Sequence, residues 1–98
     1  MNLALYETIT QKEDALVGTL TATKKYKLSF VVENKVQMKI LVKDDTTNQM
    51  LKRLNNSMFF KAGSYYFEVS SRNSANLIFN INKIEGAIVN IVFEEVIE

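Results

Sequence analysis

The side chains that could carry acid–base chemistry in this chain are carboxylates and lysines, because its 98 residues contain no histidine and no cysteine. Catalysis near neutral pH would require burial or a neighbouring charge to shift one of these groups far from its usual protonation range. Two pairs of adjacent carboxylates occur, Asp44–Asp45 and Glu94–Glu95. Adjacent residues of a strand point to opposite faces, so neither pair converges on a substrate. We interpret Asp44 and Asp45 as a solvated turn and predict that the protein is not an enzyme.

The usual patterns for metal and nucleotide binding are also missing from the sequence. The segment DDTTNQ, residues 44–49, has two carboxylates but lacks the glycine and the alternating spacing of a calcium loop. The three glycines, Gly18, Gly63 and Gly86, are too far apart to form a phosphate-binding loop. We therefore predict no catalytic residue, no metal site and no cofactor.

The composition is typical of one globular domain spanning residues 1–98, with 47% hydrophobic residues, 23% charged residues and a net charge of +1. Basic residues are concentrated in 24–61, and acidic residues outnumber basic ones in 62–98. The sequence shows neither a secretory signal pattern nor an apolar run of membrane-spanning length. We expect a cytoplasmic protein as the sequence is written. The alternatives are a virion-associated protein, or an extracellular one if the chain is an excised domain.

Alternation of apolar and polar side chains is the strongest structural signal in the chain. It runs through residues 26–32 and again through residues 36–42. Such alternation predicts half-buried antiparallel strands. We predict that the two segments form a hairpin whose three-residue loop is 32–34 or 33–35, with Asn34 in the left-handed conformation.

The C-terminal half shows the same pattern in three further segments. Residues 65–69 and 77–81 predict a second hairpin, and residues 89–93 can pair with 77–81 if Gly86 is left-handed in the connecting loop. These segments would form a three-stranded meander. The Ala62–Gly63 pair predicts a tight turn just before it.

The remaining segments give weaker signals. We predict strands within 3–9 and 16–22, the second with Leu16, Gly18, Leu20 and Ala22 facing inward, and a turn at QKED between them. Residues 47–54 fit either a short helix or a short strand. The predicted fold is an all-β, antiparallel, jelly-roll-like sandwich of seven or eight strands, with either a short helix or an edge strand near 47–54.

The segment FKAGSYYFEVSS, residues 60–71, resembles the strand signature of bacterial pre-peptidase C-terminal-type β-sandwich modules. In those modules a glycine turn precedes an aromatic strand, and the strand at 26–32 fits the same layout. The resemblance implies a sandwich architecture. Modules of that family are secreted appendages of larger enzymes, and no functional residue is carried over from them to this chain.

One charged surface follows from the predicted first hairpin, because four lysines project from its outward face. They are Lys25, Lys27, Lys39 and Lys43. A β-ribbon with such a face can follow a phosphate backbone. Single-strand binders also need exposed aromatic side chains among the basic ones, and the sequence pattern places none there. We therefore rank nucleic acid below protein as a partner, and we expect no membrane association.

The outward positions of the predicted meander are more apolar than a solvated face requires. They are Tyr66, Ile78, Asn80, Ile88, Asn90, Val92 and Val96. Either residues 44–62 cover this face or it contacts a protein partner or another copy of the chain. We predict a non-catalytic module for protein–protein contact or assembly, such as a phage or bacterial accessory protein. The alternatives are a carbohydrate-binding module using Tyr65 and Tyr66, and an inhibitor or nucleic-acid binder acting through the lysine-rich hairpin.

Overall fold

The computed structural model describes residues 5–9, 14–56 and 59–97, and these residues form antiparallel strands and no helix. The strands are β1 (Leu5–Ile9), β2 (Asp14–Leu20), β3 (Lys25–Asp44), β4 (Met50–Arg53), β5 (Phe59–Ser70), β6 (Ala75–Ile84) and β7 (Ala87–Glu95). The predicted all-β, antiparallel class is confirmed. The alternative of a short helix near 47–54 is wrong, because β4 occupies half of that segment and the rest of it is not helical.

Leu3 and most of the predicted QKED turn lie outside the described residues. Within the described residues, the structure has no helix long and apolar enough to cross a membrane.

The 20-residue strand β3 is the centre of the sheet and is paired along both of its edges. One edge pairs with β5 over residues 25–37 and then with β4 over residues 41–43. The other edge pairs with β7 over residues 26–33 and then with β6 over residues 36–44. Strand β1 extends the sheet beyond β7, and β2 extends it beyond β6. Every other described strand therefore pairs with β3 or with one of its neighbours.

The three predicted hairpins are wrong. Residues 26–32 and 36–42 are two parts of the single strand β3. Strands β5 and β6 each pair with β3, and β3 lies between β6 and β7 in the order β1-β7-β3-β6-β2. Alternation identified the buried side of each segment, but that side is the same whichever antiparallel neighbour the segment has. The pattern therefore could not identify the pairing partner.

The register of β3 with β5 shifts between Val32 and Lys35, at the level where β6 ends and β7 begins. Such an irregularity bends a strand, and we call this level of the sheet the crease. Asn34 has the predicted left-handed conformation, with a φ of 74°, but it lies within β3 rather than in a turn. Its side-chain Nδ2 donates a 2.7 Å hydrogen bond to the carbonyl oxygen of Glu85. The backbone N–H of Glu85 donates to the carbonyl oxygen of Lys35 at 3.0 Å. These two bonds join the strand to the β6–β7 connection.

Gly86 is required at the crease because the two chain segments approach very closely there. A β-carbon at this position would overlap the carbonyl oxygen of Glu33 and would lie 2.7 Å from Cβ of Asn34. Gly86 is not among the residues with positive φ, so its predicted left-handed conformation is wrong. It is the absence of a side chain, rather than backbone freedom, that this position needs.

Strand β5 passes the crease without the predicted tight turn at Ala62–Gly63. Gly63 pairs with Val32, and Lys61 pairs with Lys35. The two pairs are therefore two residues apart along β5 but three residues apart along β3. Gly63 has a φ of 153°, within the range that favours glycine. The irregular register lets β5 follow the bend of β3.

One hydrophobic core lies inside the curl of the sheet. The even-numbered residues from Tyr26 to Val32 and from Val36 to Val42 are all buried there, as the alternation predicts. Phe30 is at the centre of an aromatic cluster, with ring-centroid distances of 5.4 Å to Phe79 and 5.6 Å to Tyr65. Each fully buried side chain of this size stabilises the fold by ~1.5–3 kcal/mol relative to exposure. Both halves of β3 contribute to the same core, which is why the sheet must curl.

Bulges reverse the predicted inward and outward sides in two strands. In β2 the register shifts between Leu16 and Gly18, so Val17 is buried and Leu16 is 58% exposed. In β7 the register shifts at Asn90, whose φ is 54°, and Ile88 is fully buried. The inward placement of Leu16 and the outward placement of Ile88 are therefore both wrong. A bulge adds one residue to one strand and so inverts the alternation beyond it.

Along one edge of β3, the backbone pairing is interrupted between β4 and β5, and the Asn55 side chain fills this interruption with two hydrogen bonds. Its Oδ1 accepts a 2.6 Å hydrogen bond from the N–H of Ile40, and its Nδ2 donates to the carbonyl oxygen of Met38 at 3.2 Å. The N–H of Leu54 donates to the carbonyl oxygen of Ile40 at 2.8 Å. The amide side chain thus continues a backbone ladder that would otherwise leave polar groups without partners.

Gly86→Ala tests the close approach at the crease. We expect a loss of about 3 kcal/mol or more in the free energy of unfolding, because the methyl group overlaps backbone rather than a movable side chain. Urea denaturation followed by circular dichroism measures it. Gly63→Ala is the control, since its methyl group would lie at an ordinary contact distance of 4.0 Å from Tyr65 Cε2 and carries only backbone strain of ~1–2 kcal/mol. A smaller loss for Gly86→Ala than for Gly63→Ala would contradict the assignment.

Asn55→Ala tests the contribution of these two side-chain hydrogen bonds to the edge of β3. Removing the amide leaves the Ile40 N–H and the Met38 carbonyl without this partner, at a cost of about 2 kcal/mol. Asn56→Ala, at the exposed neighbouring residue, should change the stability by less than ~0.5 kcal/mol. Equal unfolding midpoints for the two variants in urea would show that the side chain does not complete the ladder.

Candidate functional site

The sequence predicted one interface, but its residues lie on different surfaces of the structure. Tyr66 and Val92 flank Ser29 on the outer face of the half of the sheet formed around residues 25–33. Ile78 and Asn80 lie on the outer face of the other half, beside Leu41 and Lys39 of β3. The sequence therefore identified residues of two outer faces as one surface.

The other three predicted interface residues lie elsewhere. Ile88 is in the core, and Asn90 is exposed at the bulge of β7. Val96 extends the β7 ladder through a 2.9 Å hydrogen bond from its N–H to the carbonyl oxygen of Lys25. Of these three, Ile88 is excluded from any surface contact by its burial.

The predicted basic patch is divided in the same way, because no hairpin brings its lysines together. Lys25 and Lys27 precede the crease in β3, and Lys39 and Lys43 follow it. Lys25 Nζ lies 3.5 Å from Glu68 Oε2. Lys27 is paired in register with glutamates on both sides, in β5 and in β7. The acidic C-terminal segment thus neutralises the first two lysines rather than forming a separate acidic end.

An apolar row crosses the outer face of the half of the sheet around residues 36–44. Leu16 of β2 pairs with Ile78 of β6, and Ile78 pairs with Leu41 of β3. We call these three residues the outer apolar row. Leu41 is 6% exposed, yet it is not a member of the main core cluster, so it is buried on the outer side of the sheet. Met50 continues the apolar surface in β4 and is 50% exposed.

Polar side chains border the outer apolar row on the described strands. Arg53 lies beside Leu41 on β4, and Asn80 lies between Asp14 and Lys39. Further along the same face, Asn76 accepts a 3.2 Å hydrogen bond from Thr19 Oγ1 and donates one of 3.1 Å to Asp45 Oδ1. An apolar centre with a polar border is the usual composition of a protein contact surface.

Sequence reasoning missed Leu16 as a member of this surface because the β2 bulge places it outward. It also assigned no role to Leu41, and it left Met50 within the segment 47–54, which fits either a helix or a strand. The one sequence signal that could have indicated the surface is the run of large apolar residues on both parities around Ile40, Leu41 and Val42. Such a run is typical of a strand covered on both faces.

The two tyrosines considered for sugar binding have different environments. Tyr65 packs in the aromatic cluster, and its hydroxyl donates a 2.7 Å hydrogen bond to the carbonyl oxygen of Lys61. Tyr66 is 64% exposed, and Lys27 Nζ lies 5.1 Å from its ring centroid. Tyr66 is therefore the only one of the two that offers an exposed ring, and a lysine lies over that ring.

Asp44 and Asp45 lie at the turn after β3, and their carboxylates accept hydrogen bonds from different partners. Asp44 Oδ1 accepts hydrogen bonds from the backbone N–H groups of Thr46 and Thr47 at 2.8 and 2.9 Å. The bond from Thr47, followed by that from Thr46, lowers the pKa of Asp44 below its ordinary value of 3.8. Asp45 accepts instead from the Asn76 side chain. No group of three histidine, cysteine or acidic side chains able to hold a metal is found in the described part of the chain.

Comparisons of the chain with protein-family models, with curated proteins and with solved structures found no match. The resemblance of residues 60–71 to pre-peptidase C-terminal-type modules therefore stays a prediction.

Asp44→Asn tests the turn that joins β3 to β4. The lowered pKa means that the charged carboxylate is favoured in the folded state, so it adds stability above its unfolded pKa. That contribution is lost as the pH falls through the lowered folded pKa. We expect the variant to melt at a lower temperature than the parent near neutral pH, with the gap closing in acid. Asp45→Asn is the control and should show a smaller loss near neutral pH; a gap for Asp44→Asn that does not vary with pH would contradict the account.

Proposed function

We propose that this protein is a non-catalytic interaction module that associates with a second copy of itself through the outer apolar row. The observation that supports this most directly is Leu16, a leucine 58% exposed and in register with Ile78, which is paired in turn with Leu41. Contiguous exposed apolar residues on a small domain usually mark a contact surface. The role that fits is accessory or structural, in assembly rather than catalysis.

A second copy is the occupant that the charges favour. Asp14 lies at the β2 end of this face, whereas Lys43 and Arg53 lie toward its β4 end. If two copies meet face to face about a two-fold axis across the row, β2 of one lies over β4 of the other. Acidic and basic ends then face each other, and the apolar rows meet at the centre.

The curl of the sheet supports a finer description of the architecture as part of the same proposal. We infer that the two halves of β3, with their neighbours, are the two layers of a small jelly-roll-like sandwich. The single core shared by both halves favours this description. In such a sandwich the outer apolar row is on the outside of one layer, where Leu16 is accessible to a partner.

Sedimentation velocity over a range of concentrations, on the parent and on Leu16→Lys, tests self-association. We expect a monomer–dimer equilibrium for the parent and a dissociation constant at least about tenfold weaker for Leu16→Lys, because each buried leucine contributes ~1.5–3 kcal/mol. Tyr66→Ser removes an equally exposed large residue from the other outer face, and its dimer should be unchanged.

Two results would contradict the proposal. One is a parent protein that stays monomeric at every concentration. The other is a dimer that Tyr66→Ser weakens while Leu16→Lys leaves it intact, since the contact would then lie on the opposite outer face. Circular dichroism confirms that both variants are folded.

A further inference from the structure

A shallow groove opens on the outer face of the sheet beside the crease, away from the outer apolar row. It is lined by Lys35, Gln37, Phe59, Lys83 and Glu85. The pairing of the strands creates it, because Gln37 of β3 lies between Phe59 of β5 and Lys83 of β6. We call this the crease groove. It brings together residues from three strands that are far apart in the sequence.

Lysines are concentrated around the crease groove in an arrangement that costs stability. Lys35 lies directly opposite Lys61 in the register of β3 with β5. Like charges at directly opposed positions destabilise a sheet. Lys83 adds a third positive charge and forms a 3.1 Å ion pair with Glu85. An anion bound here would relieve the repulsion between the opposed lysines.

An exposed aromatic ring lies among these lysines. Phe59 is 52% exposed, and Lys35 Nζ lies 4.9 Å from its ring centroid. Tyr66 on the other outer face has a similar neighbour, since Lys27 Nζ lies 5.1 Å from its ring centroid. The residues paired with Lys27, however, are Glu68 and Glu94. The two sites thus share a ring and a lysine and differ in the charge around them.

We propose that the crease groove binds single-stranded nucleic acid, with a base stacked on Phe59 and phosphates held by Lys35, Lys61 and Lys83. Aromatic rings inside a basic groove are the usual means of binding single strands without sequence preference. The Gln37 side chain has both a donor and an acceptor and lies where it meets the edge of a stacked base. This site differs from the lysine-rich hairpin predicted from the sequence, which lacked an aromatic residue.

A single strand suits the groove better than a duplex or an acidic peptide does. The bases of a duplex are stacked on each other and present no free face to Phe59. An acidic peptide would satisfy the lysines but would not use the ring. The ring together with the lysines therefore selects a ligand that has both a flat base and a phosphate.

Fluorescence anisotropy with labelled oligothymidylate, on the full chain at low salt, tests the proposal. We expect Phe59→Ala to weaken binding at least about fivefold, the lower end of what stacking on one aromatic residue provides. Lys35→Glu should weaken it as well. Three phosphate contacts predict a slope of roughly −2 when the logarithm of the binding constant is plotted against that of the salt concentration.

Two matched variants and two competing ligands complete the experiment. Tyr66→Ala and Lys52→Glu, at exposed positions away from the groove, should leave the affinity within about twofold of the parent, because neither residue lines the groove. Absence of oligothymidylate binding at low salt would overturn the proposal. So would equal affinity for a duplex or for polyglutamate, or binding that Tyr66→Ala weakens as much as Phe59→Ala does.

Discussion

The structure depends on one constraint, which is that β3 is paired along both edges while it bends at Asn34. The bend can occur only where the neighbouring strands are also interrupted or irregular. On both edges of β3 this happens at the level of Asn34. The β6–β7 connection supplies Gly86 against the carbonyl of Glu33, and β5 supplies Gly63 opposite Val32. Each half of β3 then carries its own neighbours while both halves cover one core.

This arrangement determines which surfaces are available for contact. Because the inward side of each half is buried in the common core, the outward side becomes two separate faces on either side of the crease. The face around residues 25–33 is charged and internally paired, as in the ion pair of Lys25 with Glu68. The face around residues 36–44 carries the outer apolar row, and the crease groove lies where the bend brings β5 and β6 beside Gln37. The two proposed activities therefore use different residues of one scaffold.

The sequence was sufficient to predict the all-β class, the buried residues of β3 and the left-handed Asn34. These are local properties, set by alternation and by the tolerance of asparagine for positive φ. The strand partners are non-local, and alternation is satisfied equally well by a hairpin and by a continuous strand. A bulge also leaves no recognisable mark in the alternation of apolar and polar residues, which is why Leu16 and Ile88 were placed on the wrong sides. Phe59 was not recognised as part of a basic site because only its pairing with β3 places it near Lys35.

The pairing of β3 is the claim on which both surfaces depend, and interstrand nuclear Overhauser effects measure it directly. The structure predicts backbone contacts of Leu28 with Phe93 and of Ile40 with Phe79. A meander of β6 with β7 would instead give contacts between Phe79 and Ile91. Observation of the first set, with no backbone contact between Phe79 and Ile91, is the predicted result. Contacts between Phe79 and Ile91, with none from β3 to either strand, would contradict the account.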